Sequence, residues 1–173
     1  GGVFKPGDEV IVLPSGLTST VASLDSFDGP VSEAFGPMSI TMRLTDNIEL
    51  SRGDMICRPN NQPKSSKDLQ VMICWMSETL EFEPRMTMAI KHSTSTSQVT
   101  VTDLLYRINL DTLHREKNPQ TLALNEVGRA SLRSTQLLFF DEYRRNRNTG
   151  SFILIDEATN ATVAAGIIVG TGA

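Results

Sequence analysis

The feature that most constrains the fold is a periodicity. Apolar residues recur at every second position, and nowhere does a 3.6-residue period persist. Met38, Ile40, Met42 and Leu44 alternate with Ser39, Thr41 and Arg43, which gives a strand one face for a core and one for water. Ala130 and Leu132 alternate in the same way with Arg129, Ser131 and Arg133 within Gly128 to Ser134. Turn residues punctuate these runs at Lys5-Pro6-Gly7-Asp8, Pro14-Ser15-Gly16, Asp28-Gly29-Pro30, Ser51-Arg52-Gly53-Asp54, Glu83-Pro84-Arg85 and Asn118-Pro119. Proline there presets φ, and glycine accepts positive φ. Further strands are predicted at Glu9 to Leu13, Thr18 to Leu24, Met55 to Cys57, Leu69 to Trp75 and Met86 to Lys91, and Ser97 to Ile108 reads as one long strand or two joined by a bend. Leu137 to Tyr143 follows, and Ser151 to Asp156 with Thr162 to Val169 forms a closing hairpin. The one helical signal is a single turn at Asp111 to Lys117. Short strands between turn signals specify an all-β fold of barrel or sandwich type.

The chain has 173 residues, enough for one ordinary domain or two small ones. Arg58 to Lys67 (RPNNQPKSSK) has two prolines and almost no apolar residue, so it cannot contribute to a core and marks a linker. The boundary is therefore placed within Asn60 to Lys67, giving domains 1–63 and 64–173. Hydrophobic and charged contents of 39% and 21% fit a globular chain. The Gly1-Gly2-Val3-Phe4 opening reads as the start of an excised fragment.

Several chemistries lack their residues. A phosphate-cradling P-loop ends in Gly-Lys, and that dipeptide occurs nowhere. The Asp-x-x-Gly and Asn-Lys-x-Asp signatures of guanine-nucleotide sites are missing as well. His92 and His114 lie far apart, neither near a cysteine at metal-ligand spacing, so a metal site is not expected. His92 ends a strand, where a hydrogen-bonding role fits. No Gly-x-Ser-x-Gly elbow occurs, and Asp8-Glu9, Asp141-Glu142 and Asp156-Glu157 sit beside turns as solvated acids. No catalytic residue is assigned.

Cys57 and Cys74 sit in apolar runs and read as small buried thiols, which places the chain in a reducing cytoplasm. No apolar run near the N-terminus is long enough for a signal or membrane segment. The net charge of −4 argues against nucleic acid as the main partner. Ser93 to Ser97 reads as a hairpin tip or an exposed strand start, with a phosphorylation cluster as the other reading. Trp75 is expected in core or inter-domain packing.

One stretch concentrates interface-type residues. Phe139 to Asn148 (FFDEYRRNRN) places three aromatics beside three arginines, types enriched at interface anchors. Tyr143, Arg144, Arg145 and Arg147 are the candidate docking residues. A solvated β-connection, a docking surface and a phosphate or nucleic-acid contact all remain open for it.

Val3 to Leu13 (VFKPGDEVIVL) resembles the second domain of translation-factor GTPases of the elongation factor Tu type. Pro14 to Asp25 (PSGLTSTVASLD), Ile40 to Pro59 (ITMRLTDNIELSRGDMICRP), Met72 to Met76 (MICWM) and Leu122 to Gly128 (LALNEVG) extend the likeness. Asn146 to Asp156 (NRNTGSFILID) is its most specific piece. The ordered set resembles the GTPase-subunit family of bacterial ATP sulfurylase, sulfate adenylyltransferase subunit 1. The resemblance implies two β-barrel domains of the second- and third-domain type, the first incomplete, with its missing strands leaving unpaired edges. It implies that GTP and Mg are held by a GTPase domain, which has no counterpart in these residues. It also implies a place in an adenylyl-transferring enzyme, with the catalytic sulfurylase subunit and the GTPase domain as partners. A translation-factor-type module binding aminoacyl-tRNA is the alternative.

Overall fold

The computed structural model describes residues 2–172, and the chain divides into two compact units, Gly1–Pro63 and Lys64–Ala173. All regular structure among the described residues is β.

In the first unit the predicted turns and alternations produce β1 (Val3–Phe4), β2 (Glu9–Leu13), β3 (Thr18–Ser26), β4 (Gly29–Pro30), β5 (Ala34–Phe35), β6 (Thr41–Leu44) and β7 (Met55–Cys57). They pair as β4-β3-β2-β7 with β6 added to β3, and β1 pairs separately with β5. No ring of strands closes here among the described residues. Val10, Val21, Leu24 and Ala34 form its buried core, flanked by Phe4, Ile40, Met42, Leu44 and Ile56. The strand predicted from Met38 begins only at Thr41. Ile40 packs on the core without ladder pairing, so its apolar spacing records burial and not a strand.

The second unit contains β8 (Lys64–Trp75), β9 (Thr87–His92), β10 (Ser95–Ile108), β11 (Arg115–Lys117), β12 (Val127–Phe140), β13 (Ser151–Ile155) and β14 (Thr162–Thr171). Their order is β11-β10-β12-β8-β14-β13-β9, and β9 pairs back onto β10 to close a barrel. Closure removes the unpaired edges of an open sheet. Alternate residues of β8 (Leu69, Val71, Ile73, Trp75) point inward and meet Ile90, Val99, Val101, Leu132, Phe140 and Leu154. Trp75 is fully buried, as expected. Its indole N–H donates to the Leu80 carbonyl at 2.6 Å, and its ring packs 5.4 Å from that of Phe82.

Four expectations need correction. Lys64 to Lys67, read as linker, begins β8, because Lys64, Ser65 and Ser66 pair with Phe140, Phe139 and Leu138. Ladder pairing with a long neighbour outweighs polar composition. Gly128 to Ser134 and Leu137 to Tyr143 are one strand, β12, interrupted by a bulge between Arg133 and Leu138; Tyr143 lies beyond it in a turn. The helical turn at Asp111 to Lys117 is a hydrogen-bonded loop followed by β11, where Glu116 pairs with Arg107 of β10. Ser97 is a buried strand residue whose hydroxyl lies 2.9 Å from that of Ser134. Only the Ser93–Thr94 part of that run forms the hairpin tip.

Candidate functional site

The outer face of the barrel holds the clearest site. Strand register lines up Val127, Cys74, Ala165, Ile153 and Lys91 as directly opposite neighbours across β12, β8, β14, β13 and β9. At about 4.8 Å per strand the row is roughly 19 Å long. A second row, Met72, Ile167 and Ser151, lies beside it. Together they floor a groove of about 760 Å³ whose wall is Tyr143, Arg147 and Asn148. Lys91 and Arg147 are cationic, and among the described residues no carboxylate lines the groove.

This floor was the part hidden from sequence reasoning. A signal existed: Met72-Ile73-Cys74-Trp75 and Ser151-Phe152-Ile153-Leu154 are apolar at both parities, which a strand needs only when both faces have company. Cys74 is accordingly half-buried on the outer face, not in the core, whereas Cys57 is buried. Burial raises the Cys57 thiol above its ordinary value.

The wall is fixed by polar contacts. His92 is almost fully buried, and its Nε2 lies 2.7 Å from the Thr149 carbonyl. The strand-end hydrogen-bonding role expected for it is thus present. Thr149 Oγ1 donates to Asp141 Oδ2 at 2.9 Å, and Ser151 Oγ donates to the Arg147 carbonyl at 2.8 Å. The Tyr143 N–H donates to the Ile168 carbonyl, and the Ile168 N–H to the Gly150 carbonyl. A side chain at Gly150 would meet the Tyr143 nitrogen at 2.6 Å, so only glycine lets the loop ends close. At Gly166 an added Cβ would meet the Phe152 ring.

Of the four residues singled out by composition, the fold brings Tyr143 and Arg147 to the groove, with the guanidinium 5.9 Å from the ring centroid. Arg144 and Arg145 are exposed on the same loop but do not line it, and Arg145 lies 3.7 Å from Asp141. Lys64 donates to Glu142 at 2.6 Å and holds that carboxyl below its ordinary range.

Among the described residues no cluster of three His, Cys, Asp or Glu could hold a metal ion. No helix among them is long and apolar enough to cross a membrane. The groove can bind a surface by apolar contact and cationic pairing.

A family model described as GTP-eEF1A C-terminal domain-like matches residues 68–169, more than half of the chain. The chain belongs to the GTP-eEF1A C-terminal domain-like family. Relatives carry the likeness of this GTP-eEF1A C-terminal domain-like chain across both units. The bifunctional enzyme CysN/CysC of Mycobacterium tuberculosis is 48% identical over 167 residues, covering 96% of this chain and 27% of that protein. Its counterpart in Rhodopirellula baltica is 44% identical, covering 99% and 26% respectively. Sulfate adenylyltransferase subunit 1 of Bacteroides fragilis is 39% identical, covering 97% and 35%. The chain thus spans roughly a quarter to a third of the length of these curated relatives. Sup35 complexed with GMPPNP shares the fold at a TM-score of 0.89 and 17% identity, over all of this chain and 42% of that one.

Proposed function

We propose that the chain is the C-terminal β-barrel part of a GTP-dependent subunit of sulfate adenylyltransferase. The whole enzyme joins sulfate to the adenylyl group of ATP, giving adenylylsulfate and pyrophosphate in cytoplasmic sulfate assimilation. The barrels make no bond in that reaction; they dock the catalytic subunit and the GTPase domain and carry nucleotide state between them as rigid-body motion. GTP and Mg sit in the GTPase domain and not on these barrels.

The observation that carries this reading is the apolar row ending at Lys91 and walled by Arg147, on a chain 39% to 48% identical to the relatives above. Apolar floors rimmed by charge are what a protein interface uses for affinity and orientation. The experiment is calorimetry of the chain against the sulfate adenylyltransferase catalytic subunit of its own organism, with Ile153→Arg as the probe of the floor. Binding that weakens in Ile153→Arg supports the reading, and an unaltered Kd refutes the groove as the contact. Titration with GTP alone should give no heat, and micromolar binding would overturn the division of labour.

A further inference from the structure

The two rows that floor the groove do not stop at its edge. Val127 lies opposite Ile108 of β10, and Ile108 opposite Arg115 of β11, so the first row runs on to a guanidinium. Met72 lies opposite Arg129 of β12, Arg129 opposite Tyr106, and Tyr106 opposite Lys117, so the second runs on to an ammonium. Among the described residues no carboxylate stands in either row. The Tyr106 hydroxyl reaches the Met72 sulfur at 3.8 Å, which joins this shoulder to the groove floor.

The cations here differ from others in the chain by the partners they keep. Arg58, Arg107 and Arg133 each donate to a carboxylate, of Asp8, Glu116 and Asp68, at 2.7, 2.6 and 2.8 Å. On the face of the two rows the partners are neutral. The Arg115 guanidinium stands 4.8 Å from the Tyr106 ring centroid, Arg129 donates to the Gln70 side-chain carbonyl, and Arg147 stands over Tyr143. A ring or an amide holds a guanidinium in place without cancelling its charge. Such a group keeps N–H donors for a planar anion, which it can grip with two parallel bonds.

We propose that the groove and this shoulder form one docking strip for an acidic segment of the sulfate adenylyltransferase catalytic subunit. Apolar side chains of that segment sit on the floor, and its Asp or Glu carboxylates meet Arg115, Arg129 and Arg147. Resting on the reading that the chain docks that subunit, the inference names the chemistry of the segment and adds Tyr106, Arg115, Arg129 and Lys117 to the contact. A nucleic-acid backbone would satisfy the cations too, but the aliphatic floor between them offers it nothing, and the net charge of −4 repels it. An acidic protein segment uses floor and cations together.

The test is calorimetry of the chain against the catalytic subunit, with Arg115→Glu and Lys117→Glu combined. Both residues are exposed, so Tm stays close to wild type while Kd rises about tenfold. The affinity of the variant also becomes less sensitive to salt. Arg52→Glu, an exposed cation of the first unit, leaves Kd unchanged; an equal loss there assigns the effect to net charge and overturns the inference. If wild type binds and Ile153→Arg weakens it while the shoulder variant does not, the strip fails and the docking function stands. Tight binding of mixed-sequence RNA at physiological salt, lost in the shoulder variant, makes the strip a nucleic-acid site and overturns the acidic segment. A wild-type chain that does not bind the catalytic subunit sinks both readings.

Discussion

His92 Nε2 lies 2.7 Å from the carbonyl oxygen of Thr149, and this contact ties loop 141–150 to the end of β9. The imidazole is buried, so the bond is formed away from water, where an orphaned carbonyl is costly. Everything that Tyr143 and Arg147 contribute to the groove depends on this loop keeping its place.

Replacing His92 by Ala removes the donor and leaves the Thr149 carbonyl unpaired. The expected cost is about 1–3 kcal/mol of stability. Trypsin should then cut after Arg144, Arg145 or Arg147 faster than in wild type at a temperature where both are folded. Equal cleavage rates would refute the anchoring role.

Gly150→Ala tests the closure of the same loop from its other end. The new methyl meets the Tyr143 backbone, which cannot yield as a flexible side chain would. Overpacking of this kind costs about 1–3 kcal/mol. Urea unfolding should show a lower midpoint at unchanged m-value; an unchanged midpoint would mean the loop repacks freely.

Arg144, Arg145 and Arg147 are all exposed. Their joint replacement by Ala should shift stability by no more than about 0.5 kcal/mol per site. Binding of the catalytic subunit should weaken, with a flatter salt dependence, because cations that steer association are lost. If the triple variant unfolds instead, the arginines serve the loop's own packing.

Acid should loosen the β10–β11 corner. Hydrogen bonding from Arg107, then from Asn109, holds the Glu116 carboxyl below its ordinary value of 4.5. A depressed native value means that the unfolded chain binds more protons in this range. The contribution is therefore complete above pH 4.5 and is lost as pH falls through the lower native value. Asp68, hydrogen-bonded by Arg133, acts with the same sign. In Glu116→Gln the fall of Tm below pH 4.5 should be shallower than in wild type; identical pH profiles would show that this ion pair adds nothing.

The β class and most strand positions were legible because they follow from local rules. Period-two alternation at Met42–Leu44 and Ala130–Leu132, and Pro or Gly at turns, bias the chain whatever surrounds it. Trp75 and His92 were legible as a core residue and a strand-end hydrogen bonder. By contrast, the polar run at Lys64 to Lys67 became strand because Leu138 to Phe140 offered it a ladder. Nothing nearby in sequence could announce that partner.

The groove lies further from the sequence still. Lys91, Val127, Ile153 and Ala165 are scattered along the chain, and only strand register sets them in line with Cys74. Sequence alone determined that this is an all-β chain with interface-type residues between Phe139 and Asn148. Tertiary structure decided that Tyr143 and Arg147, but not Arg144 or Arg145, wall a groove. The reason is physical: local propensity fixes which residues alternate, whereas barrel closure fixes which residues meet, and a binding surface is made of meetings.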